Sequence, residues 1–274
     1  MVAVVLAAGR GSRLAPLSDR LPKPLCPVGN RALLDLALDR VESLEVPIAV
    51  NVHDRAAALR AHLEAGGRSV HVSHERPDAL GTAGALGLLR GWVDGCDVVV
   101  VNADAWCPGD LRGLLEGWDG ERPRVMVHGG PVFGPRVGLV ASVTPWSEVR
   151  RLQATPSGLY EVLWRPAHDE GRLDVVGHPG PFVDCGTPAD YLRANLAAAR
   201  AGGGALVDPS ATVAPGAVGG HSVVGPGAIV EGRVVDSVVW PGTRVERGEE
   251  LVRSVRAARD LTVGPLDVAS ARRA

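Results

Sequence analysis

Two runs of this chain, Val2–Ala7 and Val98–Val101, carry no polar side chain. A strand that is apolar at every position must be covered on both faces, and a parallel sheet flanked by helices does this. The surrounding pattern agrees. Further strands are predicted at Ile48–Val52 and Val70–Ser73. Helical spacing appears in Ala32–Leu44 (Leu33, Leu34, Leu36, Ala37, Val41, Leu44), and helices are also predicted at Ala56–Leu63, Ala83–Leu89 and Leu111–Leu115. Such alternation predicts an α/β domain built on a mostly parallel sheet. Ligands of such sheets bind beyond the carboxyl ends of the strands. The loops after residues 7, 73 and 101 are therefore expected to hold the chemistry. Within residues 121–180, Val125–Val127 and Leu139–Val143 read as strands around a Gly/Pro-rich stretch, a part of the sheet expected to cover the site in part. A helix over Pro188–Arg200 closes the domain, and Ala201-Gly202-Gly203-Gly204 reads as a flexible linker.

Beyond residue 205 the texture changes. Val207, Val213, Val218, Val224 and Val230 recur at near-hexapeptide spacing among small residues, with Pro-Gly pairs at 215–216, 226–227 and 241–242. This spacing predicts a parallel β-helix in which each aliphatic residue points into a prism-shaped core. Fewer than three complete coils are expected, so support from the first domain or from another subunit is anticipated. The chain thus divides into residues 1–200 and a repeat region at 205–262, with the last dozen residues, to Ala274, expected to be loose.

Composition narrows the function. The 274 residues are 46% hydrophobic and 22% charged, with a net charge of −2, which excludes a disordered chain. There is no basic run, so no nucleic-acid partner is expected. No apolar stretch reaches the roughly 20 residues of a membrane span, and Val2–Ala8 lacks the flanks of a signal peptide. Cys26, Cys96, Cys107 and Cys185 form no Cys-x-x-Cys pair and read as reduced thiols of a cytoplasmic protein. Of the 29 basic residues, Lys23 is the single lysine. In so arginine-rich a chain, a lone lysine points to a place where a compact ammonium is needed and a planar guanidinium does not fit.

Its surroundings support this. The first strand runs into Ala8-Gly9-Arg10-Gly11-Ser12-Arg13, a glycine-rich turn able to direct backbone N–H groups at an anion. The turn is neither a Walker A loop nor the dinucleotide fingerprint, because Leu14 stands where the third glycine would be. Pro22 and Pro24 fix the backbone on either side of Lys23. The series Leu6-Ala7-Ala8-Gly9-Arg10-Gly11-Ser12-Arg13-Leu14, Pro16-Leu17, Pro22-Lys23-Pro24-Leu25, Pro27-Val28 resembles the signature of the sugar-1-phosphate nucleotidyltransferases, or NDP-sugar pyrophosphorylases. Glu75-Arg76-Pro77-Asp78-Ala79-Leu80-Gly81-Thr82-Ala83-Gly84 resembles that family's base and sugar segment. Val100-Val101-Asn102-Ala103-Asp104 resembles its metal-binding strand end. Phe182-Val183-Asp184-Cys185-Gly186-Thr187-Pro188 resembles the segment bearing the second metal aspartate. The resemblance spans residues 2–200, and the hexapeptide tail is also familiar from members of the family.

The resemblance implies a Rossmann-like catalytic domain followed by a short left-handed parallel β-helix. It implies that an NTP and a sugar 1-phosphate are joined with release of pyrophosphate. Arg13, Lys23 and Asp104 would be catalytic. Leu6, Ala8, Gly9, Gly11, Ser12, Glu75, Gly81 and Thr82 would hold the nucleotide, Gly138 would border the sugar, and Asp104 and Asp184 would bind Mg²⁺. The partners are then the two substrates alone, with neither nucleic acid nor membrane, and a homo-oligomer is expected. A hard divalent cation suits a few carboxylates completed by phosphate oxygens.

Two departures bear on specificity. The family carries a second lysine in a Glu-Lys-Pro segment, where this chain has Ala154-Thr155-Pro156. Arg150, Arg151 or Arg165 are candidates to replace it. Glu75 offers only acceptors, which suit the paired N–H groups of guanine. With the Leu80-Gly81-Thr82-Ala83-Gly84 run, it favours the mannose-1-phosphate guanylyltransferase branch, that is, GTP with mannose 1-phosphate. A uridylyl- or thymidylyl-transferring member, a non-catalytic NDP-sugar-binding regulatory subunit, and an acyltransferase using His221 of the repeat region are the alternatives.

Overall fold

A computed structural model describes residues 1–268. The chain forms two compact units: Met1–Arg10 with Leu34–Phe182, and Gly11–Leu33 with Val183–Ala274.

The first unit holds a seven-stranded sheet. From one edge its order is Asp174–His178, Arg124–His128, Leu139–Thr144, Val98–Asn102, Val2–Leu6, Ile48–Val52 and His71–His74. Leu139–Thr144 runs antiparallel to both neighbours, and the other pairings are parallel. The apolar runs occupy the middle. Val2 to Val5 and Val98 to Val101 are all buried, so both faces are covered, as their composition requires. Helices Leu33–Glu42, Ala56–Ala65 and Gly81–Val93 form where the apolar spacing placed them, within two to four residues at each end. The added strand is Asp174–His178, whose Asp-Val-Val-Gly-His sequence is too short and too mixed to announce itself.

Helix Gly81–Val93 shows why its glycines are there. A β-carbon on Gly84 would lie 2.3 Å from the Thr155 carbonyl oxygen, and one on Gly87 would lie 2.2 Å from the Gln153 carbonyl carbon. The helix therefore carries a smooth stripe on which segment 153–157 lies backbone to backbone. Gly91, on the same helix, faces open space. Gly87→Ala is accordingly expected to cost about 1–3 kcal/mol through overpacking. Gly91→Ala is expected to stabilise by up to about 1 kcal/mol through helix propensity. Thermal melts of the two variants should move in opposite directions, and a shared direction would show that the stripe does not control packing.

The second unit contains the parallel β-helix. One face stacks Leu206–Val207, Val223–Val224, Val238–Val239 and Val255–Ala258 in parallel. The other two faces stack Thr212–Val213, Ile229–Val230 and Arg244–Val245, and Val218–Gly219, Arg233–Val235 and Glu250–Val252. Three coils are therefore complete and a fourth begins, which corrects the expectation of fewer than three. The later inward positions, Val234, Val239, Val245 and Leu251, follow steps of four and five as well as six, and the shortened steps hide the repeat. Val207, read as an inward residue, lies 42% exposed at the first coil. At the other end Arg256 stands in register with Val239, and its guanidinium donates to the Arg244 carbonyl at 3.0 Å and to Glu249 Oε1 at 2.8 Å. A cation thus occupies the last place in a column of valines. Leu261–Val263 then turns back antiparallel to Val255–Ala258.

The compact units cut the chain differently from the expected segments, 1–200 and 205–262. Gly11–Leu33 and helix Pro188–Ala201 belong to the same compact unit as the β-helix. The physical reason is a set of buried and part-buried hydrogen bonds. Asn30 Nδ2 donates to the Val224 carbonyl at 2.9 Å, Gly29 N–H to Asn195 Oδ1 at 3.1 Å, and Trp240 Nε1 to the Tyr191 hydroxyl at 2.9 Å. The Tyr191 hydroxyl in turn donates to the Pro27 carbonyl. Nor is the triglycine a free linker. Gly202, Gly203 and Gly204 N–H groups donate to the carbonyls of Ala198, Arg200 and Ala199, which caps the helix. Of the last dozen residues, Leu266 N–H still bonds the Arg253 carbonyl, and residues 269–274 lie outside the described residues. Among the described residues, no helix is long and apolar enough to cross a membrane.

Candidate active site

In the second unit the glycine turn bends as its composition suggests. Gly11 has φ +63° and precedes the short 3₁₀ turn Ser12–Leu14, which carries Arg13. A β-carbon on Gly11 would lie 2.7 Å from the Lys23 β-carbon, so glycine is needed twice over, for conformation and for space. Lys23 opens the 3₁₀ turn Lys23–Leu25 and is only 6% exposed. Its Nζ donates to Asp184 Oδ1 at 3.4 Å, and Arg13 Nη2 lies 4.0 Å from Asp184 Oδ2. A β-carbon on Gly186 would approach both Asp184 Oδ2 and Arg13 Nη2, at 3.3 and 3.4 Å. Three residues singled out by sequence, Arg13, Lys23 and Asp184, thus come together beside two glycines.

The electrostatics are uneven. The Lys23 side chain is buried, whereas the Arg13 and Asp184 side chains are 74% and 51% exposed. Two cations, Arg13 and Lys23, lie within 4.0 Å of the Asp184 carboxylate. Long, partly exposed contacts of this kind contribute little to stability. Asp184 offers hard oxygen donors of the type a divalent cation prefers. Among the described residues no group of three or more His, Cys, Asp or Glu side chains is assembled for a metal. A donor set this small fits an ion whose remaining positions are filled by phosphate oxygens and water.

In the first unit the other selected residues lie along the carboxyl edge of the sheet. Leu6 ends the first strand, in register with Asn102, and Ala103 N–H donates to the Leu6 carbonyl at 2.9 Å. Asp104 follows in the turn, half-buried. Ala8 is buried, and the α-carbon of Gly9 faces open space where a ligand could approach the backbone. Ser12, in the second unit, opens its 3₁₀ turn exposed.

Glu75 lies away from solvent. Its carboxylate is fully buried, and both oxygens are already engaged: Oε1 accepts from Asn51 Nδ2 and Oε2 from Leu80 N–H, each at 2.7 Å. Fully buried, it presents no exposed oxygen to the two N–H groups of guanine. Thr82 is likewise committed, its hydroxyl oxygen accepting from Leu159 N–H at 2.7 Å. Gly81 has φ +69°, and a β-carbon there would lie 2.6 Å from the Ser157 carbonyl oxygen. The Ala154-Thr155-Pro156 segment is therefore a neighbour of the Leu80–Gly84 turn, where it presents backbone and no cation. Arg151 and Arg165 pair with Glu148 and Asp169 on the surface, at 3.2 and 3.9 Å. Gly138 leaves room for the Phe182 ring, 2.7 Å from where its β-carbon would be. Trp106 is packed in the interior, and His221 lies beside Asp236 at 3.8 Å.

Sequence reasoning passed over Asn51. The available signal was one amide inside the otherwise apolar strand Ile48–Val52. Its side chain is buried and accepts from Ala7 N–H at 2.7 Å.

An α/β sheet in the first unit and, in the second, a lysine–arginine–aspartate cluster beside a glycine-bent turn are the chief features of the chain. The family profile described as Nucleotidyl transferase matches residues 2–132. The N-acetylmuramate alpha-1-phosphate uridylyltransferase of Caulobacter vibrioides is 31% identical over 236 residues, covering 73% of this chain and 98% of that protein. A mannose-1-phosphate guanylyltransferase of Mycobacterium tuberculosis is 26% identical, covering 90% of this chain and 81% of its own. A solved Bacillus anthracis structure, assigned as a glucose-1-phosphate thymidylyltransferase in complex with sucrose, superposes with a TM-score of 0.61 at 20% identity, over 72% of this chain and 95% of that one, a likeness of fold. The chain belongs to the nucleotidyl transferase family, among the sugar-1-phosphate nucleotidyltransferases.

Proposed function

We propose that this chain transfers a nucleotidyl group from an NTP to a hexose-type sugar 1-phosphate, releasing pyrophosphate. A phosphate oxygen of the sugar phosphate attacks the α-phosphorus, and the bond from that phosphorus to the bridging oxygen of pyrophosphate breaks in line. No covalent nucleophile is needed. The reaction is carried by positioning and by neutralisation of charge. The observation that carries the reading is the Arg13–Lys23–Asp184 cluster beside Gly11. In this reading Lys23 is a buried, pre-oriented cation for the phosphates, and Arg13 is a mobile one. Asp184 holds Lys23 in line until the substrate arrives. The turn around Gly9 and Gly11 lets the backbone approach the triphosphate. In the first unit Leu6, Ala8, Gly81, Thr82 and Gly138 would offer backbone and side chain to the nucleotide and sugar, and in the second Ser12 would offer its hydroxyl.

Asp184 and Asp104 are the carboxylates that would hold Mg²⁺, which when bound supplies positive charge against the phosphate oxygens. The burial of Glu75 removes the argument for guanine, so the guanylyl assignment is left to measurement beside its uridylyl and thymidylyl alternatives. The test is pyrophosphate release with Mg²⁺ from four NTPs crossed with several hexose and amino-sugar 1-phosphates. Release that requires one NTP and one sugar phosphate together is expected and would name the product. Silence across the panel, with NDP-sugar binding still measurable by calorimetry, would favour a regulatory subunit, in line with the missing cation at Ala154-Thr155-Pro156.

A further inference from the structure

Four groups in the first unit are joined by hydrogen bonds that converge from both ends on one carboxylate. Ala7 N–H donates to Asn51 Oδ1, Asn51 Nδ2 donates to Glu75 Oε1, and Leu80 N–H donates to Glu75 Oε2, all at 2.7 Å. Glu75 N–H also continues the sheet by donating to the Val52 carbonyl at 2.9 Å. Asn51 is 3% exposed and Glu75 0%. The orientation of the Asn51 amide follows from its neighbours: a backbone N–H on one side demands an acceptor, and a carboxylate on the other demands a donor. At one end of the chain is the residue that leads into Ala8-Gly9. At the other is the residue that precedes Gly81 and helix Gly81–Val93.

We infer that Asn51 and Glu75 are positioning residues of the nucleotide pocket, a buried amide–carboxylate relay that locks the loop after the first strand to the turn before helix Gly81–Val93. This rests on the reading of those two loops as the nucleotide-holding elements. Neither side chain touches the base. Each acts through the backbone it holds, so the relay sets the width of the slot between the loops. Burial makes the relay strict, since a donor facing a donor in a dry site loses its bond without compensation from water.

The relay makes an unusual prediction for isosteric exchanges. Glu75→Gln leaves an NH₂ group facing either Asn51 Nδ2 or Leu80 N–H. Asn51→Asp puts a second carboxylate against Glu75. Combining the two restores every bond: the new carboxylate accepts from Ala7 N–H and from the new amide, whose oxygen accepts from Leu80 N–H. Each single variant is expected to raise the KM for the NTP by at least about tenfold, a loss on the scale of one buried hydrogen bond. The KM for the sugar 1-phosphate and kcat should stay within a few-fold of wild type. The double variant should recover the NTP KM to within about threefold of wild type, since all partners are again matched. Amide hydrogen exchange at Ala7 and Leu80 supplies a readout independent of turnover. Both amides should lose protection in each single variant and regain it in the double.

Single variants that leave the NTP KM unchanged, or a double variant no better than either single, would overturn the relay. So would equal losses in kcat and in both KM values. If wild type turns over no substrate pair, the functional reading fails. The exchange pattern then judges the lock alone, and absence of the loss-and-rescue pattern at Ala7 and Leu80 would overturn that as well.

Discussion

Lys23→Ala is expected to reduce kcat for pyrophosphate release by about 10²–10³-fold, the scale on which enzymes lose rate when one pre-oriented charge-stabilising group is removed. Lys23 is the only lysine in the chain, is 6% exposed, and sits with its β-carbon against Gly11. Its ammonium has already lost much of its hydration, and its direction is set by the prolines on either side. Both features favour an effect on rate over one on ground-state binding. Lys23→Arg separates charge from shape. The guanidinium keeps the charge but needs a wider, planar space, and the closely packed Gly11 leaves none. The arginine variant is therefore expected to recover no more than about tenfold of the loss. Steady-state kinetics on the productive NTP and sugar 1-phosphate pair measures both. Near wild-type turnover in Lys23→Arg would show that charge alone is at work, and that the retention of one lysine among 29 basic residues has another cause.

The second large effect falls on a residue that touches no substrate. Tyr191 is fully buried in helix Pro188–Ala201, donates its hydroxyl to the Pro27 carbonyl, and accepts from Trp240 Nε1 at 2.9 Å. It therefore ties the segment that carries Lys23 to the helix that follows Asp184 and to the third coil of the β-helix. Tyr191→Phe keeps the ring but leaves the indole N–H without an acceptor and weakens the hold on Pro27, whose carbonyl retains only Asn195 Nδ2 at 3.4 Å. An unsatisfied buried donor plus a lost bond should cost about 2–4 kcal/mol. For a chain of this size that corresponds to a fall in Tm of roughly 5–12 °C. Because the Lys23 segment is released, kcat should fall as well.

Tyr191 also has a pH signature. Burial pushes its phenol well above the ordinary value of about 10. A group whose folded pKa is raised contributes stability that is fully present below the unfolded pKa and is lost as pH rises toward the folded one. Wild type is therefore expected to lose stability above about pH 10, and Tyr191→Phe should flatten that loss. Chemical denaturation between pH 8 and pH 11 measures it. Parallel alkaline slopes in the two proteins would assign the loss to other groups.

The sheet and the Arg13–Lys23–Asp184 cluster were legible in unequal ways. Uninterrupted valines at residues 98–101 demand cover on both faces, whatever the covering elements are, so the centre of the sheet was readable locally. Strand Asp174–His178 was not, because an edge strand of mixed polarity is selected by its pairing with Arg124–His128 and not by its own pattern. Gly11, Arg13 and Lys23 lie close in sequence and could be read together. Asp184 is 161 residues from Lys23 and entered only through its resemblance to a known segment. Glu75 was legible as a residue of interest. Its type said acceptor, but only its burial and the directions of Asn51 and Leu80 say for whom.

The sequence by itself determined the alternation of strands and helices, the place of the glycine turn, the lone lysine between two prolines and the repeat of the tail. Each of these follows from a local rule of periodicity or backbone freedom. Only the tertiary structure decided that Gly11–Leu33 groups with the β-helix, that the triglycine is a helix cap, that a third coil is complete, and that Glu75 is a buried lock. Those outcomes rest on bonds between residues far apart in the chain. The worth of such bonds comes from exclusion of water, which no local pattern records.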